Sequence, residues 1–389
     1  MSPSEQSPSS FTSSNYFLRV SNPDNLISAT RHAAYVYSTP RTLYHGQVNL
    51  SFPFDAQPWF ERHLHAPGNM ADMTSQSEGC TIYKISNCII DIQLGMVLLE
   101  ADQLRILHAS HHVASQAHSI ICANNRSVAD YQAYVAESIA KPIPSLNEHL
   151  IFLLNTKWSA HNYYHWLQEA LPRIDISKNR LGLPCRYLWI APCQPQRFHL
   201  QSFELADITP QLIVSHNRFF RVSNLLWPSF FNANSSSRYS FSWFETSKTS
   251  HLRPTPKKLF IDRSQGTARS ISNMSDLIPI LEKYYYTVID FGLLSCSEQH
   301  HYFSRASHIV GAHGAGLTNI MSSNNAKILE ICPFESLNHC FYAISNASSS
   351  HLNYNQYYLF PVPYADRTKQ LLYIDPLQLD DYLWRLELE

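Results

Sequence analysis

Short apolar runs alternate with amphipathic stretches over the second half of the chain, and that rhythm predicts its architecture. Runs at 150–154, 187–191 and 212–214 have the length of buried strands, with helical patterns at about 161–178 and 195–206 between them. The rhythm restarts with strands expected at 259–262, 287–290, 308–311 and 327–331, separated by helices at 274–284 and 295–306 and a helix start at 316–322. Strand and helix taking turns in this way imply parallel sheets covered by helices. The region from about 30 to 140 reads differently. Runs at 81–85, 89–93 and 96–100, the last after Gly95, suggest an antiparallel meander.

Punctuation between these patterns sets the expected organisation. Residues 1–15 are rich in Ser and Pro and read as a disordered tail, followed by a β-rich region over 16–145. Two α/β units follow, at 146–245 and 246–375, joined through a Ser/Asn-rich linker at 232–257, and an amphipathic helix is expected at 376–389. Two α/β units joined by a linker predict a ligand cleft between them, beyond the carboxyl ends of the strands.

Composition narrows the class of partner. The 389 residues carry 29 basic and 30 acidic side chains, so no global field draws the chain to nucleic acid or to an anionic membrane. No stretch reaches the 18 apolar residues of a membrane span, and the start of the chain lacks the apolar core of a signal peptide. The expected location is cytoplasmic, with at most a peripheral association with the inner membrane. The 8 cysteines form no Cys-x-x-Cys pair and read as buried thiols, not as a zinc site. Glycine is scarce at 10 residues, yet Gly311, Gly314 and Gly316 fall within six positions, which marks a special backbone geometry.

Those glycines lie in the segment 311–319, after a predicted strand and before a helix start. Such a turn lets backbone N–H groups approach an anion, a diphosphate being the natural guest. His313, Gly314, Ala315, Gly316, Leu317, Thr318 and Asn319 are therefore candidate ligand contacts, with His313 expected to face the ligand. The run also resembles the oxyanion segment of lipases, but the Gly-x-Ser-x-Gly elbow that chemistry requires is missing from the chain. Arg263 and Arg269, just past a strand end, suit phosphate oxygens. Glu330, read as the carboxyl end of a strand, suits a ribose hydroxyl pair. In the first α/β unit His161, His165 and Glu169 are spaced i, i+4, i+8 and should share a helical face, Glu169 being the first choice of general base and His165 the second. Asn162 and Arg173 flank them. Ser295 and Glu298 have the spacing of a helix capping box.

Together these segments resemble glycosyltransferase family 61, which includes plant β-1,2-xylosyltransferases, O-GlcNAc transferases of the secretory pathway and bacterial proteins linked to capsule polysaccharides. The resemblance rests on Asn-Tyr-Tyr-His-Trp-Leu-Gln-Glu-Ala-Leu-Pro-Arg at 162–173, Asp-Arg-Ser at 262–264, Ala-Arg-Ser-Ile-Ser-Asn at 268–273, Ser-Glu-Gln at 297–299 and Val-Gly-Ala-His-Gly-Ala-Gly-Leu-Thr-Asn at 310–319. Met274 departs from it, since an acidic residue often follows the Asn. What the resemblance implies is a GT-B fold of two Rossmann-like domains facing a cleft, and inverting transfer without a metal or other cofactor. The donor would be a nucleotide sugar, UDP-linked, and the acceptor a glycan or polysaccharide. Arg263, Arg269, the glycine segment and Glu330 would lie on the donor side. His161, Asn162, His165, Glu169 and Arg173 would lie on the acceptor side. The competing readings are a nucleotide- or glycan-binding protein of the same fold without activity, and a His-rich metal-dependent hydrolase.

Overall fold

A computed structural model describes residues 17–19, 33–38, 42–44, 75–77, 81–100, 105–108, 127–147, 151–154, 156, 158–175, 186–191, 195–205, 211–228, 254–263, 268–333, 340–348 and 355–388. The expected tail at 1–15 and most of the linker at 232–257 lie outside the described residues.

The strands in chain order begin with β1 (Phe17–Arg19), β2 (Ala33–Ser38), β3 (Thr42–Tyr44), β4 (Ser75–Ser77), β5 (Thr81–Asp91), β6 (Met96–Leu99) and β7 (Arg105–His108). Strands β5, β6 and β7 form the expected antiparallel meander, with the turn into β6 made at Gly95 in the left-handed region (φ 65°). The two runs at 81–85 and 89–93 are one 11-residue strand. Helix α1 (Val128–Ile139) then leads through β8 (Ser145–Leu146) to β9 (Ile151–Leu153), β10 (Arg186–Ala191), β11 (Gln211–Val214) and β12 (Phe219–Pro228). Strands β9, β10 and β11 are parallel, as the alternating pattern predicts.

Strand β12 joins the two textures. One edge pairs antiparallel with β5 from Phe219 to Pro228, and the other pairs parallel with β8 and β9. A single ten-stranded sheet therefore runs across the boundary placed at 145/146. Arg218, just before β12, reinforces that seam. Its guanidinium donates to both oxygens of the buried Asp91 at 2.7–3.0 Å, and Tyr131 of α1 donates to the same carboxylate at 2.8 Å. Breaking a buried pair of this kind by removing one partner costs about 3–5 kcal/mol.

The second sheet is entirely parallel: β13 (Lys258–Asp262), β14 (Thr287–Asp290), β15 (His308–Ala312), β16 (Lys327–Pro333) and β17 (Gln356–Val362), in the spatial order β14-β13-β15-β16-β17. Side chains alternate between its faces with period two. Phe260, Val310, Leu329, Tyr358 and Phe360 pack under α4 (Met274–Lys283) and α7 (Pro376–Leu388). Leu259, Ile261, Ile309, Ile328, Tyr357 and Leu359 face α5 (Cys296–Arg305) and α6 (Cys340–Ser348). That second core also takes in Leu154, Trp166, Leu167, Phe203 and Leu226 from the first half, so both halves close on one hydrophobic cluster. A small hairpin, β18 (Tyr364–Asp366) and β19 (Leu371–Leu372), precedes α7. The described thiols Cys88, Cys296 and Cys332 are buried and free. Among the described residues, no helix is long and apolar enough to cross a membrane.

His199 of α3 (Arg197–Leu205) packs edge-on against Trp166 with ring centroids 4.5 Å apart. Its Nε2 donates to Ser159 O at 2.8 Å, and its Nδ1 accepts the Gln196 N–H at 2.9 Å, so the neutral ring is satisfied. Burial lowers its pKa to about 4. The unfolded chain therefore binds this proton first as the pH falls. The stabilisation is complete above about pH 6.5 and is lost towards pH 4, a difference of about 3 kcal/mol. Denaturation at pH 7.5 and 5 is expected to show the fall beginning above the carboxylate range; equal stabilities at the two pH values would contradict it.

Candidate functional site

The order of the second sheet decides where a ligand can sit. The chain passes from β13 outward to β14 and then returns to the other side of β13 to lay down β15. The carboxyl ends of β13 and β15 thus flank a topological switch point, the place where open α/β sheets hold ligands. Arg263 follows β13 directly, and His313 and Gly314 follow β15.

Arg263 lies across the backbone of that second turn. Its Nη1 donates to His313 O at 2.9 Å and its Nη2 to Ala268 O at 3.1 Å. A Cβ added to Gly314 would fall 1.0 Å from Arg263 Nη1. This is why glycine stands there. The special backbone geometry expected of the cluster is not found at this position: Gly314 has φ 169°, an extended conformation open to any residue. Gly311 is likewise no turn residue. It lies inside β15, where a Cβ would come within 2.9 Å of Ile261 Cβ. Both glycines serve close approach.

Burial, then the nearby charge of Arg269, lowers the Arg263 pKa to about 10, which leaves it protonated at neutral pH. Neither arginine forms an ion pair with a described carboxylate. Arg269 has φ 58°, a left-handed conformation that is uncommon outside glycine, and its Nε is buried without a hydrogen-bond partner. Its loop is pinned by Arg269 N–H to Gln370 O, by Ser272 N–H and Leu372 N–H exchanged across to the β18–β19 hairpin, and by Asn273 Nδ2 to Ile374 O. The serines and asparagine of segment 268–273 thus hold Arg269 in its strained place.

His313 is buried, contrary to the exposed position expected of it, with its ring 4.9 Å from that of Phe341. Its Nδ1 hydrogen-bonds Glu330 Oε1, and Tyr357 OH donates to Glu330 Oε2 at 2.5 Å. Glu330 sits mid-strand and is buried. Its carboxylate is engaged by protein groups, which corrects the ribose-holding position read from the sequence. Gly314, Leu317, Thr318 and Asn319 are also buried, the last three inside a 3-10 helix (Ala315–Ser322), so of the expected row only Ala315 and Gly316 are partly exposed. The Leu317 N–H is already donated to Gly314 O.

The second group of candidates sits on α2, a helix over 163–175 in three pieces: Tyr163–His165, a π-helical turn Trp166–Ala170, and Leu171–Asp175. Pro172 supplies a physical reason for the wide turn. It has no N–H for the residue 168 carbonyl, and its ring crowds that carbonyl. Asn162 caps the helix by accepting the Tyr164 N–H at 2.9 Å. His161 is exposed in the preceding turn and so does not share a helical face with His165, as the spacing had suggested. Arg173 is buried and donates to Glu169 O at 3.0 Å.

His165 and Glu169 do meet. Nδ1 lies 2.6 Å from Oε1, with the histidine side chain 21% exposed and the carboxylate 9%. Glu169 Oε2 is buried without a hydrogen-bond partner. The His165 ring lies between Trp158, at 4.7 Å, and Tyr164, at 5.1 Å. Tyr164 touches Phe341, which touches His313, so the two His–Glu pairs are linked through two aromatic rings. A polar chain ties α2 to the 3-10 helix and to α5. Tyr163 OH donates to Asn319 Oδ1 at 2.9 Å, and Asn319 Nδ2 donates to Gln299 Oε1 at 2.8 Å. Gln299 is held in turn by α5, whose Ser295–Glu298 capping box forms as the sequence predicts.

The family model described as Glycosyltransferase 61 matches residues 163–329. This stretch is similar to glycosyltransferase family 61. No curated protein matches the chain. The class of activity that goes with the family is glycosyl transfer, from a sugar donor to an acceptor. The matched stretch opens on Tyr163, the first residue of α2, and closes on Leu329, so it contains His165, Glu169, both arginines and the whole glycine segment. Tyr357, Phe341 and Trp158 lie outside it. The sequence reading missed all three, since a lone aromatic carries no signal until the fold places it against a histidine or its carboxylate. Among the described residues, no three His, Cys, Asp or Glu side chains converge as a metal-binding group.

Proposed function

We propose that this chain is an inverting glycosyltransferase that moves a sugar from a UDP-linked donor, such as UDP-GlcNAc or UDP-xylose, to a hydroxyl of a glycan or polysaccharide, with its two α/β halves in a GT-B arrangement. The observation that carries the reading is the desolvated Arg263 guanidinium beside the strained Arg269, at the switch point, with no described carboxylate to neutralise either. Two fixed cations there fit a diphosphate, which arginine matches with its planar fork.

The reaction is a single in-line displacement. The acceptor oxygen forms a bond to the anomeric carbon as the bond from that carbon to the diphosphate oxygen breaks. The acceptor proton passes to a base, and the charge of the leaving diphosphate is met by Arg263 and Arg269. The geometry favours His165 as that base, with Glu169 as the partner that fixes its tautomer. The carboxylate is the more buried of the two and accepts the Nδ1–H, which leaves Nε2 for the acceptor. This reverses the order of preference read from the sequence.

A thermal-shift titration with UDP tests the reading, because a ligand bound only by the folded state stabilises it by about 2.7 kcal/mol at a hundred times its dissociation constant. Wild type is expected to shift with UDP and UDP-sugars and much less with UMP, and Arg263→Met is expected to lose most of the shift. No shift with any uridine nucleotide would overturn the proposal.

A further inference from the structure

Beyond the two arginines, the donor side holds a buried relay. Tyr357 of β17 donates to Glu330 of β16, and the other oxygen of Glu330 takes His313 Nδ1, at the end of β15. Three neighbouring parallel strands each contribute one member, all on the sheet face turned towards α2. Tyr357 and Glu330 are almost fully buried. A buried carboxylate that only closed a core would be costly, since apolar residues could fill the same volume. Here both of its oxygens are spent on fixing one ring. With Nδ1 committed to Glu330, Nε2 is the nitrogen left to His313, and no described residue occupies it. The backbone of the same residue anchors Arg263, whose Nη1 is bonded to His313 O.

We propose that Tyr357 and Glu330 are positioning residues that hold the His313 ring so that Nε2–H donates to the leaving diphosphate beside Arg263 and Arg269. This deepens the reading above and rests on it. The two His–Glu pairs then divide the work. His165 takes the proton from the acceptor hydroxyl, and His313 stabilises the negative charge that accumulates on the departing phosphate oxygen without giving up its own proton. The groups facing the relay are Cys332 from β16, Cys340, Phe341 and Tyr342 from α6, Tyr164 from α2 through Cys340, and Arg263, with Arg269 beside it. Burial, with the Glu330 carboxylate next, raises the Cys340 thiol to about 12, and Tyr357 is likewise held well above its ordinary value. Neither is charged at neutral pH.

The experiment is UDP affinity measured by calorimetry from pH 5.5 to 8.5 for the wild type, His313→Gln, Glu330→Gln and Tyr357→Phe, with a melting curve for each. The comparison between proteins cancels the titration of UDP itself. Wild-type affinity is expected to weaken as pH rises from 5.5 to 8.5. Glu330→Gln and His313→Gln are expected to lose affinity on the order of 10–100-fold at pH 6 and to lose the extra pH dependence. Tyr357→Phe, which keeps shape and burial, is expected to lose about 3- to 10-fold. A purely structural role would lower the melting temperature and leave the pH dependence in place, and that result would overturn the inference. If the wild type bound UDP but Tyr357→Phe matched it at every pH, the relay would fail while the transferase reading stood. If the wild type did not bind UDP, both would fall.

Discussion

Replacing His165 with alanine is expected to lower turnover by about 10²–10⁴-fold, the usual contribution of a positioned general base, while UDP affinity stays within about threefold of wild type. The separation follows from placement. His165 lies on α2 against Trp158 and Tyr164, whereas the cations proposed for the diphosphate lie beyond β13 and β15. Glu169→Gln keeps the size of the partner but offers an amide where the ring nitrogen meets a carboxylate at 2.6 Å. It is expected to cost turnover as well, by a smaller factor, because the ring remains while its orientation and tautomer are no longer fixed. UDP release from a UDP-sugar, with and without acceptor, reads both effects. Wild-type turnover in His165→Ala would remove this residue from the mechanism. Full loss in Glu169→Gln together with normal turnover in His165→Ala would instead return the base to Glu169.

Gly314→Val is expected to weaken UDP binding by 100-fold or more, on the order of the loss of more than one charge-assisted contact, with a stability cost of only about 1–3 kcal/mol. The backbone at 314 is extended, so valine meets no conformational penalty there. It meets Arg263, whose Nη1 would lie 1.0 Å from the new Cβ. The guanidinium must leave, breaking its bonds to His313 O and Ala268 O and withdrawing one of the two cations. Gly316→Ala serves as the control, because its Cβ would meet only Ile261 Cγ2 at an ordinary 3.5 Å. Equal UDP affinities in Gly314→Val and Gly316→Ala would show that the glycine at 314 has no bearing on the anion site.

Periodicity was a sound guide where a strand is buried on both faces. The runs at 259–262, 308–311 and 327–331 mark strands of the second sheet to within two residues, since each must be apolar on both sides. It failed at β12, β17 and α1, which carry no distinct pattern in a chain so rich in aromatics. The loss of β12 mattered most. That strand welds the meander to the parallel strands, and without it the region before 145 reads as a separate module.

The candidate site divides in the same way. Sequence alone determined which chemistry was present. The His and Glu four residues apart on one helix, the arginines past a strand end and the clustered glycines are local features, and local spacing is what a sequence records. Only the tertiary structure decided what each feature is for. Glycine at 314 admits an arginine from 51 residues upstream, and Glu330 turns inward to a histidine and a tyrosine on the flanking strands. Those contacts join residues from separate strands of a parallel sheet. Their order in space is set by the crossover connections and the burial of two faces, which no short window of sequence contains.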